Sequence, residues 1–508
     1  MRQIFETIIN RFDGGLSKDR RDGWVGSIKN GFTTNKFALT KHFDVFTFPK
    51  KLVPYYKTEA DETKSYLINK FLYAPYLTAI AYRLYGLGLY TASASVSGAP
   101  YVHNSDLTAT GWEDPVTGYT AGEKAVNYSV FFYYKNYIYW WQGGNQLARF
   151  GVLTGATTVA EYKAITYTNL AQPVHHPADD CAYFFQDNVV HKLNDTSWSA
   201  SVLTLPAQFK IVAACPFGNY LAIACVSLQD LDKESVVYLW DRDSSLATLT
   251  ERIDFGKGEI RHLANLNNKL TAVMNYYVDN AIGLNRGKIL IKQASGNFAV
   301  TLNEIITDAY VTPGLVLPAV RMITNDKLYF VTRATLNSDN REGIWVVDEY
   351  GRVALDTVEE DLATGTAFQG IFRLGNQWWI AHSEDGSIQR TDDAAAYSTT
   401  LASVYESLIF NAGDSDLNKK LIGAAVMTEK MPTAGQIVLK YRINGATSWT
   451  TIYTDTTNSQ ISHGAINIEA DGTNLPEYKE IEFQILSTGG ACITGLKFKS
   501  ELVPRQLF

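Results

Sequence analysis

A turn-forming pair followed by an apolar run recurs along this chain. The segments are "LYGLGLYTA" at 84–92, "YKNYIYWWQ" at 134–142, "QDNVVHKLN" at 186–194, "FGNYLAIAC" at 217–225, "LNNKLTAVM" at 266–274, "TNDKLYFVT" at 324–332 and "LGNQWWIAH" at 374–382. With the second turn residue as marker, the copies stand at Gly86, Asn136, Asn188, Asn219, Asn268, Asp326 and Asn376, spaced 50, 52, 31, 49, 58 and 50 apart. Gly, Asn and Asp suit these positions because a tight hairpin needs positive φ at its central residues. In several copies a second strand follows and ends in another turn, as in "SVVYLWDRDSS" (235–245), "GKILIKQASGN" (287–297), "EGIWVVDEYGR" (342–352) and "GSIQRTDD" (386–393).

A unit of three or four short strands, repeated every roughly 40 to 50 residues without helical periodicity between copies, is the pattern of a β-propeller blade. Seven markers therefore predict an all-β chain with a seven-bladed propeller over residues 55–405. The 31-residue step leaves little room for four strands, so six or eight blades remain as alternatives. Within "RLGNQWWIAHSEDGSIQRTDD", Trp378 and Trp379 occupy the places of Ile138 and Tyr139 or Leu328 and Tyr329. Successive strand residues face opposite ways, so the pair is expected to pack between blades and not to form a sugar platform.

The flanks carry other patterns. "HFDVFTFPKKLVPYY" (42–56) alternates from Phe43 to Phe48 and is expected to close the ring as an outer strand, within an N-terminal region of 1–54. At the start, Ile4, Phe5, Ile8, Ile9 and Phe12 fit one face of a helix that Gly14-Gly15 would stop. Such an arm needs a neighbour to bury it, either its own propeller or another subunit. After residue 405 the hairpin spacing ends, and "QIVLKYRI", "IEFQIL" and "GLKFK" alternate as longer strands. Asn444-Gly445 is a strong hairpin signal, and residues 406–508 are expected to form an antiparallel β-sandwich.

Composition agrees with strands: 13% of the 508 residues are aromatic and only 19% are charged. A net charge of −7, without a block of Lys and Arg, argues against specific nucleic-acid readout. No apolar run suits a signal peptide or a membrane span, so a soluble product that is not exported is expected. Cys181, Cys215, Cys225 and Cys492 form no CxxC pair and read as small buried hydrophobes.

Candidate chemistry is sparse. His175, His176, Asp179 and Asp180 in "PVHHPADDC" include two metal-ligating types, but the spacing matches no zinc motif and a polar loop is the better reading. "DRDSS" (241–245) and "DSDLNKK" (414–420) have half the carboxylate pattern of a calcium loop and are explained by turn chemistry. Nucleophile elbows and phosphate loops are missing, so no enzyme activity, cofactor or catalytic residue is assigned.

The order of elements, an arm with "FDGGLSKDRR", an extended "NGFTTNKFALTKHFDVF", an irregular propeller and a terminal sandwich with "NKKLIGAAVMTEKMPTAGQIVLKYRINGATSWTTI", resembles the propeller-containing structural proteins of tailed bacteriophage virions. In that family an F-x-G-G-L segment precedes an arm lying on a neighbouring subunit. A Y-x-x-(N/D)-G-x-x-x-W hairpin follows a lysine-bearing strand, and Tyr441, Asn444, Gly445 and Trp449 match it. The resemblance implies a virion component made in the host cytoplasm. It would assemble into a symmetric homo-oligomeric ring and contact portal, adaptor, tail or neck proteins. A module binding a host-surface glycan or receptor is the second reading, and a propeller hydrolase the third.

Overall fold

A computed structural model describes residues 4–17, 20–21, 35–63, 67–89, 100–103, 112–113, 130–142, 146–153, 158–165, 170–228, 233–243, 249–277, 287–307, 321–324, 326–332, 335–336, 339–340, 343–357, 368–375, 377–382, 387–391, 396–411, 416–458, 460–465 and 476–503. Its regular elements are strands, with no α-helix among the described residues.

The central part is a run of four-stranded antiparallel units. Unit one spans 67–113, unit two 131–164, unit three 170–204, unit four 209–257, unit five 259–307 and unit six 321–357. Units four and five join into one eight-stranded sheet through a single parallel pairing, Asp254 with Phe298. Unit seven takes three strands from 368–391 and its fourth, Thr58–Thr63, from near the start of the chain. First strands of successive units lie beside one another from unit one to unit five. The first strand of unit five meets the second of unit six, and the first strand of unit seven touches both unit six and unit one.

Both faces of these sheets are covered by neighbours, which explains the continuous apolar runs. In "YIYWW" the side chains alternate between two cores: Ile138 and Trp140 pack with Tyr85 and Val102 of unit one, whereas Tyr139 and Trp141 pack with Ala182 and Phe184 of unit three. The same division recurs between units three and four, four and five, and seven and one. A strand wet on one face would show alternating polarity instead. Trp378 and Trp379 obey this rule, the first facing Tyr329 and the second facing Phe372, Leu84 and Trp112. Both are about as deeply buried as side chains become, at 2% and 1% exposed.

Beyond the units lie two five-stranded sheets packed face to face, with Phe483 and Phe498 rings 4.7 Å apart across the interface. One contains Leu39–Lys41, Ser403–Glu406, Ile481–Thr488, Gln436–Ile443 and Thr450–Asp455; the other contains Ile4–Ile9, Ile493–Leu502, Lys419–Thr428, Ser462–Ala465 and Glu477–Tyr478. Each sheet thus incorporates an N-terminal strand, so the sandwich is not made from residues 406–508 alone.

Three sequence expectations change. Ile4–Ile9 is a strand paired with Ile493–Leu502, not a helix. Three isoleucines and a threonine favour extended backbone, and the sandwich supplies a ladder that an isolated helix lacks. Its inner row, Thr7 and Ile9, is buried in this same chain, as is Phe12 against Tyr405 at 5.3 Å; Ile4 and Ile8 face outward. Second, the strand completing unit seven is Thr58–Thr63 and not 42–56. The latter contains Pro49 and Pro54, forms only a two-residue ladder, and sinks Phe43, Val45 and Leu52 into the main core. Third, Gly86 lies within a strand, paired to Phe71 and Tyr101, and marks no turn.

Residues 4–17 and 35–57 act as a strap between the sandwich and the units. Leu16 donates its amide to the Val353 carbonyl at 2.7 Å, Asn303 donates to the Leu16 carbonyl, and Thr40 donates to the Leu355 carbonyl. Gly14 and Gly15 allow this approach: a Cβ at Gly14 would stand 2.5 Å from the backbone of Asn35 and Lys36, and Gly15 has φ +78 against Val353. Gly14→Ala should therefore cost about 1–3 kcal/mol by overpacking against backbone, read as a lowered urea midpoint.

Candidate functional site

The densest buried polar constellation lies where the strap meets units six and seven. Arg373, on the first strand of unit seven, is 7% exposed. Tyr329 and Asp356 come from the second and fourth strands of unit six, and Asp44 and Tyr55 from the strap. Arg373 Nη1 donates to the Tyr329 hydroxyl at 2.6 Å, Nη2 stands 3.3 Å from Asp44 Oδ2, and Nε donates to the Gly375 carbonyl. Tyr55 donates its hydroxyl to Asp356 Oδ2 at 2.7 Å, while the Arg373 guanidinium is 4.0 Å from that oxygen. Tyr55, Tyr329 and Trp378 present their rings around the guanidinium at 5.3–5.6 Å.

Burial dominates the electrostatics. It pushes the Asp356 carboxyl up to about 7, with Arg373 opposing and Asp44 adding to the rise. It raises the Tyr55 and Tyr329 phenols, with Asp356 contributing, so both stay donors. It works against the charge on Arg373, but the surrounding Tyr55, Tyr329, Asp356 and Asp44 outweigh it and hold the guanidinium protonated. Lys327, which donates to the strap's Thr47 at 2.9 Å, is lowered by burial. These groups satisfy one another and hold three chain segments in register; a buried guanidinium needs such partners.

A second ionic lock joins unit seven to unit one. Asp61, on the strand Thr58–Thr63, has no exposed side-chain area; it accepts the Trp112 indole N–H at 2.8 Å and lies 3.1 Å from Arg390 Nε and 3.5 Å from His103 Nε2. The sandwich has its own: Glu482 takes Arg442 and Arg20, and Arg20 also reaches Glu406.

Of the residues singled out by sequence, Asn136, Asn219, Asn268 and Asp326 stand in the hairpin between the first and second strands of their units, with φ +68 at Asn136, +60 at Asn268 and +55 at Asp326. Asn376 lies outside the described residues, although its neighbour Gly375 has φ +60. Asn188 sits instead between the second and third strands of unit three, whose first hairpin ends at Asp180. Replacing Asn188 by Asp180 turns the steps of 52 and 31 into 44 and 39, which removes the short step.

The same hairpin carries the histidine cluster of the sequence. Asp180 pairs with Lys135 and His175, while Asp179 takes Lys192 at 3.1 Å and Arg242 at 2.9 Å, accepts the Tyr183 hydroxyl, and is held down to about 2 by these partners against its burial. No group of three or more metal-ligating side chains occurs among the described residues. Asp241 accepts the Asp243 amide in a turn, and the following 244–248 and the stretch 412–415 lie outside the described residues. Cys181, Cys215 and Cys225 are buried, Cys492 is partly so, and none of the four forms a disulfide.

In the sandwich, Asn444 and Gly445 both have positive φ, and the Asn444 side chain accepts the amides of Lys479 and Glu480. Tyr441 lies opposite Thr450 and Phe483, and the Trp449 ring stacks on Arg442 at 4.3 Å. Sequence reasoning missed Arg373, Asp356 and Asp61, for no local pattern distinguishes them from the other charged residues.

No family model matches the chain, and no curated protein matches it. Among solved structures, the computationally designed Ika8 protein aligns at 10% identity over 65% of this chain and 98% of its own, with a TM-score of 0.32. A likeness of that level carries nothing about fold or function. Among the described residues, no helix is long and apolar enough to cross a membrane.

Arg373→Met would leave the carboxyl groups of Asp44 and Asp356 buried without their guanidinium partner. It should destabilise the chain by about 3–5 kcal/mol in equilibrium urea unfolding at neutral pH, far more than a surface Arg→Met change.

Proposed function

We propose that the chain is a structural component of a tailed bacteriophage virion, a tail, nozzle or neck-ring subunit, in which seven four-stranded units form a β-propeller carrying the sandwich. The propeller reading is supported by the succession of first strands and by the return of Thr58–Thr63 to complete unit seven. Rings of blades need such a closure, because an unclosed end would leave a strand edge and an apolar face open.

The observation that carries the structural role is the strap. One N-terminal segment donates strands to both sandwich sheets, bonds the backbone of unit six, and supplies Asp44 and Tyr55 to the Arg373 junction. The conspicuous buried charges thereby hold segments together. A subunit that transmits force through a symmetric assembly requires such rigid coupling, and flexible linkage would dissipate it. The F-x-G-G-L and hairpin resemblances point to the same class.

Electron microscopy of the purified protein, alone and mixed with the other structural proteins of its particle, tests this reading. Closed rings of uniform subunit number, and the chain's presence in purified particles, are expected. A protein that stays monomeric in both conditions, or that turns over or selectively binds an oligosaccharide, would overturn it.

A further inference from the structure

The fourth strand of unit five, Phe298–Thr307, has ten residues, whereas the fourth strand of unit six, Val353–Thr357, has five. The shorter strand cannot cover the longer one. At Asn303 the strap fills the gap, since the Leu16 carbonyl accepts from Asn303 and the Leu16 amide donates to Val353. Before Asn303 the strand projects past this seal. Val300 lies opposite Gln293, whose amide donates to the Glu349 carbonyl of unit six at 3.2 Å, so Phe298 and Val300 face the unit-six side. Leu302 packs on Gly351, where a Cβ would have no room. Beside it stands Tyr350, on a turn pinned by Asp348, which accepts the amides of Tyr350 and Arg352 at 3.0 and 2.9 Å and pairs with the Arg352 guanidinium. The exposures are 60% for Phe298, 43% for Val300, 38% for Leu302 and 56% for Tyr350.

This face differs from a scatter of exposed side chains. Residues 295–303, "SGNFAVTLN", carry no charge, although an exposed outer strand is ordinarily blunted by Lys or Pro. With about 150–250 Å² for a whole aromatic side chain, the four residues expose on the order of 300–350 Å² of apolar area. A stable contact buries about 800 Å² on each partner, a little over half of it apolar, so the patch supplies most of that apolar share. Its rim carries Lys269, 4.9 Å from the centre of the Tyr350 ring, and Glu349. One charge of each sign suits a copy turned by a two-fold axis, which sets Lys269 against the partner's Glu349. A wholly acidic or wholly basic partner would meet a like charge instead.

We propose that this face is a two-fold contact between copies of this chain, with Val300 near the axis and Phe298 packed on the partner's Leu302. Phe298 and Leu302 stand two positions either side of Val300, so an antiparallel copy brings them together. The inference does not rest on the virion reading, because such a pair forms whether or not rings do.

Sedimentation velocity and oxidative cross-linking test it. The unaltered chain should show twofold association that grows between about 1 and 100 µM. Phe298→Glu and Val300→Glu, at positions exposed enough to accept a charge in the folded chain, should each weaken it by at least about tenfold. Ile461→Glu, at an exposed position on the sandwich, should leave it unchanged. Val300→Cys should yield a disulfide-linked dimer on mild oxidation, whereas Ile461→Cys and the unaltered chain should not. No association up to the highest concentration, Glu variants that associate as tightly as the unaltered chain, or Val300→Cys cross-linking no better than Ile461→Cys would each overturn the proposal. Rings that form without pairing would leave the structural role standing and remove this contact; pairs without rings would do the reverse.

Discussion

Each four-stranded unit of this chain is apolar on both faces, and it can bury them only against the units before and after it. That constraint governs the rest of the central part. It explains why Trp140 and Trp141, or Trp378 and Trp379, stand side by side in sequence yet belong to different cores. It also makes the ends of the series costly unless unit seven meets unit one. The meeting is completed by Thr58–Thr63, and it is fixed by a carboxylate, Asp61, held among Arg390, Trp112 and His103. A buried charge there is tolerable because partners from two units converge on it, and it discriminates against any other register of the closing strand.

The same economy appears at the strap. Phe12 packs against Tyr405 of the sandwich, Gly14 and Gly15 let the backbone pass within hydrogen-bond distance of Val353, and Asp44 reaches Arg373. One extended segment thus closes the hydrophobic core shared by unit six, unit seven and the sandwich. Two bodies that could otherwise hinge become one, which suits a proposed role in a virion better than a role needing a mobile cleft. The ionic groups at the junction give that coupling a definite geometry, since a guanidinium caged by three aromatic rings and two carboxylates has few alternative positions.

The hairpins were legible because their chemistry is local. Asn136, Asn268 and Asp326 must adopt positive φ, and that demand selects residue type whatever surrounds it. The alternation of the sandwich strands was legible for a similar reason, since period two is imposed by the strand itself. Gly86 misled because glycine also serves inside a strand, and Asn188 misled because a second hairpin in a unit makes the same local demand as the first.

What the amino-acid sequence determined by itself, then, was strand, turn and repeat: properties settled by φ, by side-chain alternation and by the apolar content of short runs. Only the tertiary structure decided the partners. "TEADET" carries no repeat or turn signal of its own, yet it completes unit seven, where Arg390 and Trp112 meet its acids. "IFETII" fits a helical face, yet it extends the sandwich because Ile493–Leu502 offers it a ladder. Arg373, Asp356 and Tyr55, far apart in sequence, become one site through burial alone, and burial belongs to the folded whole and to no segment of it.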